Sequence, residues 1–133
     1  MMKRQLLLMV NLLLISLCSF ADTCPTVVDI KQASLNGWRA YDSDDDTPLS
    51  SKRFDQYKSY IVKFVLAEWV TKQAKQPGSI RCYYRDKEGS TLEAYLAKDN
   101  LLLQDKKQVW YQVSHAMHCA AGFEACTFVS ARV

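Results

Sequence analysis

Ile80-Arg81-Cys82-Tyr83-Tyr84-Arg85-Asp86, then Lys87-Glu88-Gly89-Ser90, then Thr91-Leu92-Glu93-Ala94-Tyr95-Leu96-Ala97, is the stretch whose reading decides the fold. Ile80, Cys82 and Tyr84 alternate with Arg81, Tyr83 and Arg85, the period of an extended strand with one buried and one wet face. Lys87 to Ser90 has hairpin chemistry, and the returning segment places Leu92, Ala94 and Leu96 on one side. An antiparallel hairpin is therefore expected at the centre of the molecule. If Cys82 points inward, Arg81, Tyr83 and Arg85 point outward.

Outward from that hairpin, Val109 to Val113 and Thr127 to Val129 read as further short strands, and Trp38 to Tyr41 as another. Towards the N-terminus, Pro25 suits a first helical position, and Val27, Val28 and Ile30 can share one helical face before Asn36-Gly37 ends the segment. Asp42 to Ser51 is a polar loop. The stretch from Phe54 to Val70 admits two readings. Phe54, Tyr57, Ile61, Phe64, Val65 and Trp69 nearly fit a helical stripe, whereas Tyr60, Val62, Phe64, Leu66 and Val70 fit alternation, with many β-branched residues among them. The expectation is a loop or helical turn over Ser51 to Lys58, a strand from about Tyr60 to Thr71, and a turn at Pro77-Gly78. The sum is an α+β fold: a small antiparallel meander with one short N-terminal helix, stapled by two disulfides.

The staples follow from the other end of the chain. Met1-Met2-Lys3-Arg4, an apolar run from Leu6 to Phe20, and small residues at Ser19 and Ala21 have the layout of a cleavable secretory signal. The run holds Asn11 and Ser16 and falls short of the ~20 residues of a membrane span, so no membrane anchor is expected after cleavage. Residues 1–21 are therefore read as a signal peptide and 22–133 as one secreted or periplasmic domain. Four cysteines remain: Cys24, Cys82, Cys119 and Cys126. An even number in an exported domain reads as two disulfides with three possible connectivities. Cys119 and Cys126 can close a short loop through Gly122, which leaves Cys24 with Cys82.

Composition narrows the partners. Loss of Lys3 and Arg4 leaves 15 basic residues against 14 acidic ones, a net charge of +1 with the signs interspersed. A nucleic-acid binder carries a basic excess on one face, and none is visible. Asp42-Ser43-Asp44-Asp45-Asp46 begins like a calcium loop but has Thr47 and Arg53 where glycine and glutamate are required. His115 and His118 lie near Cys119, yet a disulfide sulfur is no ligand, and two histidines without a carboxylate do not close a metal site. The same objection removes a cysteine nucleophile. No catalytic residue, metal ligand or cofactor is assigned. The aromatic residues are numerous, and Arg81, Tyr83 and Arg85 form the candidate binding set: two guanidinium groups flanking a tyrosine on the outward side of a strand.

Cys24-Pro25 with Ile30-Lys31, a Gly37-Trp38 turn, Ala67-Glu68-Trp69, Ile80-Arg81-Cys82-Tyr83-Tyr84 before a hairpin, and Cys119 with Cys126-Thr127-Phe128 together resemble domain of unknown function 3757. That family comprises small exported bacterial proteins, and the likeness covers most of the chain after Ala21. It implies export and a single disulfide-bearing domain, and it carries over no catalytic residue. A looser likeness is to periplasmic inhibitors of c-type lysozyme, small disulfide-tied β-domains whose Tyr-x-Cys strand leads into a hairpin as Ile80 to Ala97 is expected to; their Ser- and Gly-rich inhibitory loop has no counterpart here. The expected function is a non-catalytic module binding a protein or glycan outside the cytoplasm. The alternatives are an inhibitor of a host or competitor hydrolase and a small secreted enzyme.

Cleavage after Ala21 is directly measurable. Protein collected from periplasm or medium is expected to have the intact mass of a chain beginning at Asp22. A mass that retains the signal, or a lipid adduct on Cys18, contradicts it.

Overall fold

The computed structural model describes residues 21–73, 76–103 and 109–131, so all but Ala21 of the expected signal segment lies outside the described residues. The elements in chain order are α1 (Val27–Lys31), β1 (Arg39–Asp42), α2 (Ser51–Tyr60), β2 (Lys63–Val70), β3 (Gly78–Arg85), β4 (Thr91–Leu103), β5 (Tyr111–Val113), β6 (Ala116–Cys119) and β7 (Phe128–Ser130). All strand pairings are antiparallel, in the spatial order β1-β4-β3-β2-β6-β5, with β7 also paired to β4. This small α+β fold departs from the expected simple meander. Only β2-β3-β4 and β5-β6 follow in sequence order; β1 and β7 both join β4, and β6 joins β2.

Two helices form, not one, and the longer follows β1. In α1 the cap is Thr26, whose hydroxyl accepts from the Asp29 N–H at 3.1 Å; Pro25 precedes the cap instead of opening the helix. In α2 the Ser50 hydroxyl accepts from the Arg53 N–H at 3.2 Å. Lys52, Arg53, Gln56 and Lys58 favour helix, and the β-branched run begins only at Ile61, where the helix stops. A helix and then a strand therefore do form in the Phe54–Val70 stretch, but the alternation expected of the strand is out of phase: Tyr60 and Val62 are exposed, and Ala67 and Trp69 are buried instead of Leu66 and Val70. Phe54, Tyr57 and Ile61 face the core from the helix and its cap, and Ala67 and Trp69 face it from the strand. Between Phe64 and Leu66 the register with β3 shifts, a bulge at Val65 that reverses the alternation.

The expected hairpin is the centre of the sheet, and β4 runs past Ala97 to Leu103. Ile80, Cys82 and Tyr84 are fully buried, while Arg81, Tyr83 and Arg85 are half-buried on the opposite side. Cys24 is joined to Cys82 and Cys119 to Cys126, the pairing favoured by the spacing. All four sulfurs belong to the core, with Ile30, Trp38, Tyr57, Ile61, Leu96, Leu101 and Phe128. Both helices contribute to this core, so they cover the Cys82 face. Three hydrogen bonds fasten the segment from Asp22 to Pro25: the Tyr84 hydroxyl donates to the Pro25 carbonyl at 2.5 Å, and Asp22 exchanges two backbone bonds with Phe128.

Tyr84→Phe is expected to lower unfolding free energy by about 1–2 kcal/mol in denaturant titration, since the Pro25 carbonyl loses its donor inside the core. An unchanged midpoint would mean that the disulfide alone holds this segment.

Candidate functional site

A transverse row crosses the face of the sheet opposite the helices. Arg39 of β1 is in register with Ala97 of β4, Ala97 with Arg81 of β3, Arg81 with Glu68 of β2, Glu68 with His118 of β6, and His118 with Tyr111 of β5. Residues opposite one another in antiparallel strands share a face, so all six belong to the outer side. A parallel row beside it holds Tyr41, Tyr95 and Tyr83.

Tyr95 is the centre of the second row. Its ring stacks on Tyr41 at 5.7 Å between centroids and meets Tyr83 at 5.5 Å, and the Arg81 guanidinium lies 4.9 Å from its centroid. Its hydroxyl donates to Asp46 Oδ1 at 2.7 Å. Burial, reinforced by that bond, raises the Tyr95 pKa far above the ordinary phenol value, so the group remains a neutral donor. Only 3% of Tyr95 is exposed although no helix covers it; side chains of its own face bury it.

Asp46 arrives through the acidic loop. Asp42 Oδ1 accepts the Asp44 N–H at 2.7 Å and Oδ2 pairs with Arg53 of α2, while Asp45 accepts both the N–H and the hydroxyl of Thr47. The carboxylates are thus spent on folding the loop. Asp46 sits 3.7 Å from Arg81 Nη1. Burial disfavours the charge on Arg81, but the Tyr95 and Tyr83 hydroxyls and Asp46 outweigh it, and the guanidinium stays charged.

Between β1 and β3 lies an open groove of about 590 Å³, with Arg39, Tyr41, Arg81, Ala97, Lys98 and Asp99 among its walls. Asp99 accepts from the Ser79 hydroxyl at 2.5 Å. Lys98 lies 5.9 Å from the centroid of the Trp38 ring, and Arg39 is exposed. Neither has a carboxylate partner among the described residues.

The three residues singled out from sequence separate. Arg81 lines the groove. Tyr83 is on the same face but rests against Tyr95, half-buried by burial of its own ring, which raises its pKa. Arg85 lies beyond a second register shift in β3, bonds the Asp86 carbonyl at 3.0 Å, and does not line the groove. Arg39, Tyr41, Tyr95 and Lys98 went unmarked. Tyr41 and Tyr95 belong to the numerous aromatics without any mark that sets them apart, and nothing local signals the other two.

His118 also differs from its sequence reading: it has a carboxylate partner, Glu68, at 2.9 Å, from a strand 50 residues earlier. His115 is exposed and apart from that pair. Among the described residues no group of three or more His, Cys, Asp or Glu side chains is arranged to hold a metal. Of the groove's hydroxyls, those of Ser79 and Tyr95 are engaged with carboxylates. No family model, curated protein or solved structure matches the chain.

The Asp42–Arg53 pair yields a pH test of how the loop is held. The Arg53 hydrogen bond, then the Asp44 N–H, hold Asp42 below the usual carboxylate range. A lowered folded pKa means that the stabilisation is complete above the unfolded value, about 3.9, and is lost as pH falls through the folded one. Thermal melts are expected to show a stability gap between wild type and Arg53→Met at neutral pH that closes at the acid end. Parallel curves down to acid would refute the anchoring role.

Proposed function

We propose that the protein is an exported, non-catalytic binding module that recognises a protein or glycan outside the cytoplasm, through the sheet face its helices leave bare. The observation that carries this reading is the asymmetry of the sheet. Both helices and both disulfides belong to the inner side, whereas the outer side has a tyrosine row beside a groove with an uncompensated cation, Arg39. Antiparallel sheets commonly leave one face in water, but a solvated face has no need of a packed, hydrogen-bonded tyrosine cluster. Such a cluster costs side-chain freedom and fixes the groove walls in advance, which is what a binding surface gains from preorganisation.

Export is part of the same proposal. The signal-like N-terminus supports it, as do two disulfides, which persist in oxidising compartments. Among the described residues no helix is long and apolar enough to cross a membrane.

Oxidised protein immobilised through its C-terminus and exposed to envelope or host extract provides the test. Retention of a partner is expected to fall about tenfold or more in Arg39→Ala/Arg81→Ala, and to persist in Val28→Asp, a change at an exposed position on α1. The reverse pattern would move recognition to the helical side and sink the proposal.

A further inference from the structure

The groove has a chemistry more specific than recognition in general, and the inference drawn from it rests on the reading above. We propose that it is a subsite for a sugar bearing a carboxylate, a uronic- or sialic-acid-type residue. Its carboxylate would sit between Arg39 and Arg81, and its hydroxyls would face Asp46 and Asp99.

The register supplies the first reason. Arg39, Ala97 and Arg81 occupy matching positions on three adjacent strands. Neighbouring strands are about 4.8 Å apart, so the two arginines rise from backbones about 10 Å apart with only a methyl group between them. That gap admits one anionic group approached from two sides. A guanidinium presents paired donors that match a carboxylate, which a lysine does not. Arg81 is held in place by the Tyr95 ring and Asp46, while Arg39 has no partner among the described residues and is free to close on a ligand.

The rim supplies the second. Asp46 and Asp99 stand among the cations of the groove lining. An acidic peptide or other polyanion crossing the groove would set its further charges against them. A ligand with one carboxylate and several hydroxyls would not, because its hydroxyls donate to these same oxygens. Asp99 accepts one bond from Ser79 and Asp46 one from Tyr95, and a carboxylate can accept about four.

The tyrosines supply the third. Recognition of neutral sugars relies on an open aromatic face; Tyr95 has none, since Tyr41, Tyr83 and Arg81 surround it, and Tyr41 has one ring face taken by its stack on Tyr95. Selectivity therefore falls to charge. The volume, about 590 Å³, lies within the ~300–1,000 Å³ of small-molecule sites and suits the end of a short oligosaccharide.

Isotope-labelled, oxidised protein titrated at millimolar ligand with digalacturonate, sialyllactose, neutral lactose and a hexaglutamate peptide tests the assignment by amide shift mapping. At least one acidic sugar is expected to shift Arg39, Arg81, Ala97 and Lys98, while lactose leaves them unmoved. That affinity should drop about tenfold in Arg39→Ala, less in Arg39→Lys, and should fall steeply at about 1 M salt, where the Debye length is about 3 Å. Arg39 is exposed, so its variants should fold, and their unliganded spectra verify it.

Three results overturn the assignment: lactose binding as well as sialyllactose, the peptide binding more tightly than any sugar, or no acidic sugar shifting the groove. If partner retention from extract still depends on Arg39 and Arg81 in any of these cases, only the ligand class has failed. If retention is indifferent to both arginines, the recognition face has failed with it.

Discussion

The Cys24–Cys82 disulfide is the constraint on which the arrangement depends. Cys82 sits in the middle of β3, a strand bonded on both edges, so whatever is tied to it is tied to the most rigid part of the sheet. The cross-link spans 58 residues, and constraining a loop of that length in the unfolded chain is worth about 4 kcal/mol on the chain-entropy model. It is also directional. Cys82 points inward, so the N-terminal segment must approach from the inner side. The Tyr84 hydroxyl then fixes Pro25 two residues further along the same face of β3, and α1 and α2 complete the cover with Ile30, Tyr57 and Ile61. One covalent bond therefore decides which face of the sheet is core and which is surface.

That decision was legible in the sequence because it was local. Period-two alternation through Ile80, Cys82 and Tyr84 needs no knowledge of the rest of the chain, and the four cysteines after Ala21, two of them close together, limit the pairing. The helical stripe from Phe54 to Ile61 was equally visible, and a strand after it was too, but not which of its residues turn to the core. What hid their junction was the bulge at Val65, where one extra residue reverses the parity, so that no single period runs from Phe54 to Val70. The order of strands was beyond reach for a different reason. β1 and β7 both seek β4, one pairing at Arg39–Asp42 with Ala94–Ala97 and the other at Phe128–Ser130 with Leu101–Leu103. No local signal in either segment names that partner.

The groove was hidden for the same reason. Arg39 and Arg81 are unremarkable basic residues in sequence and become a pair only through Ala97, the small residue that stands between them in register. Glu68 and His118 illustrate the rule again: a histidine that lacked a nearby carboxylate in sequence has one at 2.9 Å across a strand pair. Arg85 shows the converse. Alternation gave its side correctly, but a register shift between Tyr83 and Arg85 carries it out of line with the groove. Period two predicts a face; only register predicts a site.

The transverse row also explains why charge concentrates at one end of the outer face. On the β2–β6 side Glu68 stands in register between Arg81 and His118, and its carboxylate hydrogen-bonds the His118 ring at 2.9 Å within the row. On the β1 side the neighbour of both arginines is a methyl group, and Arg39 is left uncompensated. Asp46 is brought towards Arg81 by the acidic loop, but its nearest bond is to the Tyr95 hydroxyl, and its 3.7 Å approach to the guanidinium is a loose one. The tyrosine row spends its aromatic surface on itself, burying Tyr95 without help from any helix. It acts as a scaffold that fixes the walls of the groove, and the chemistry left to meet a ligand is that of the cations above it.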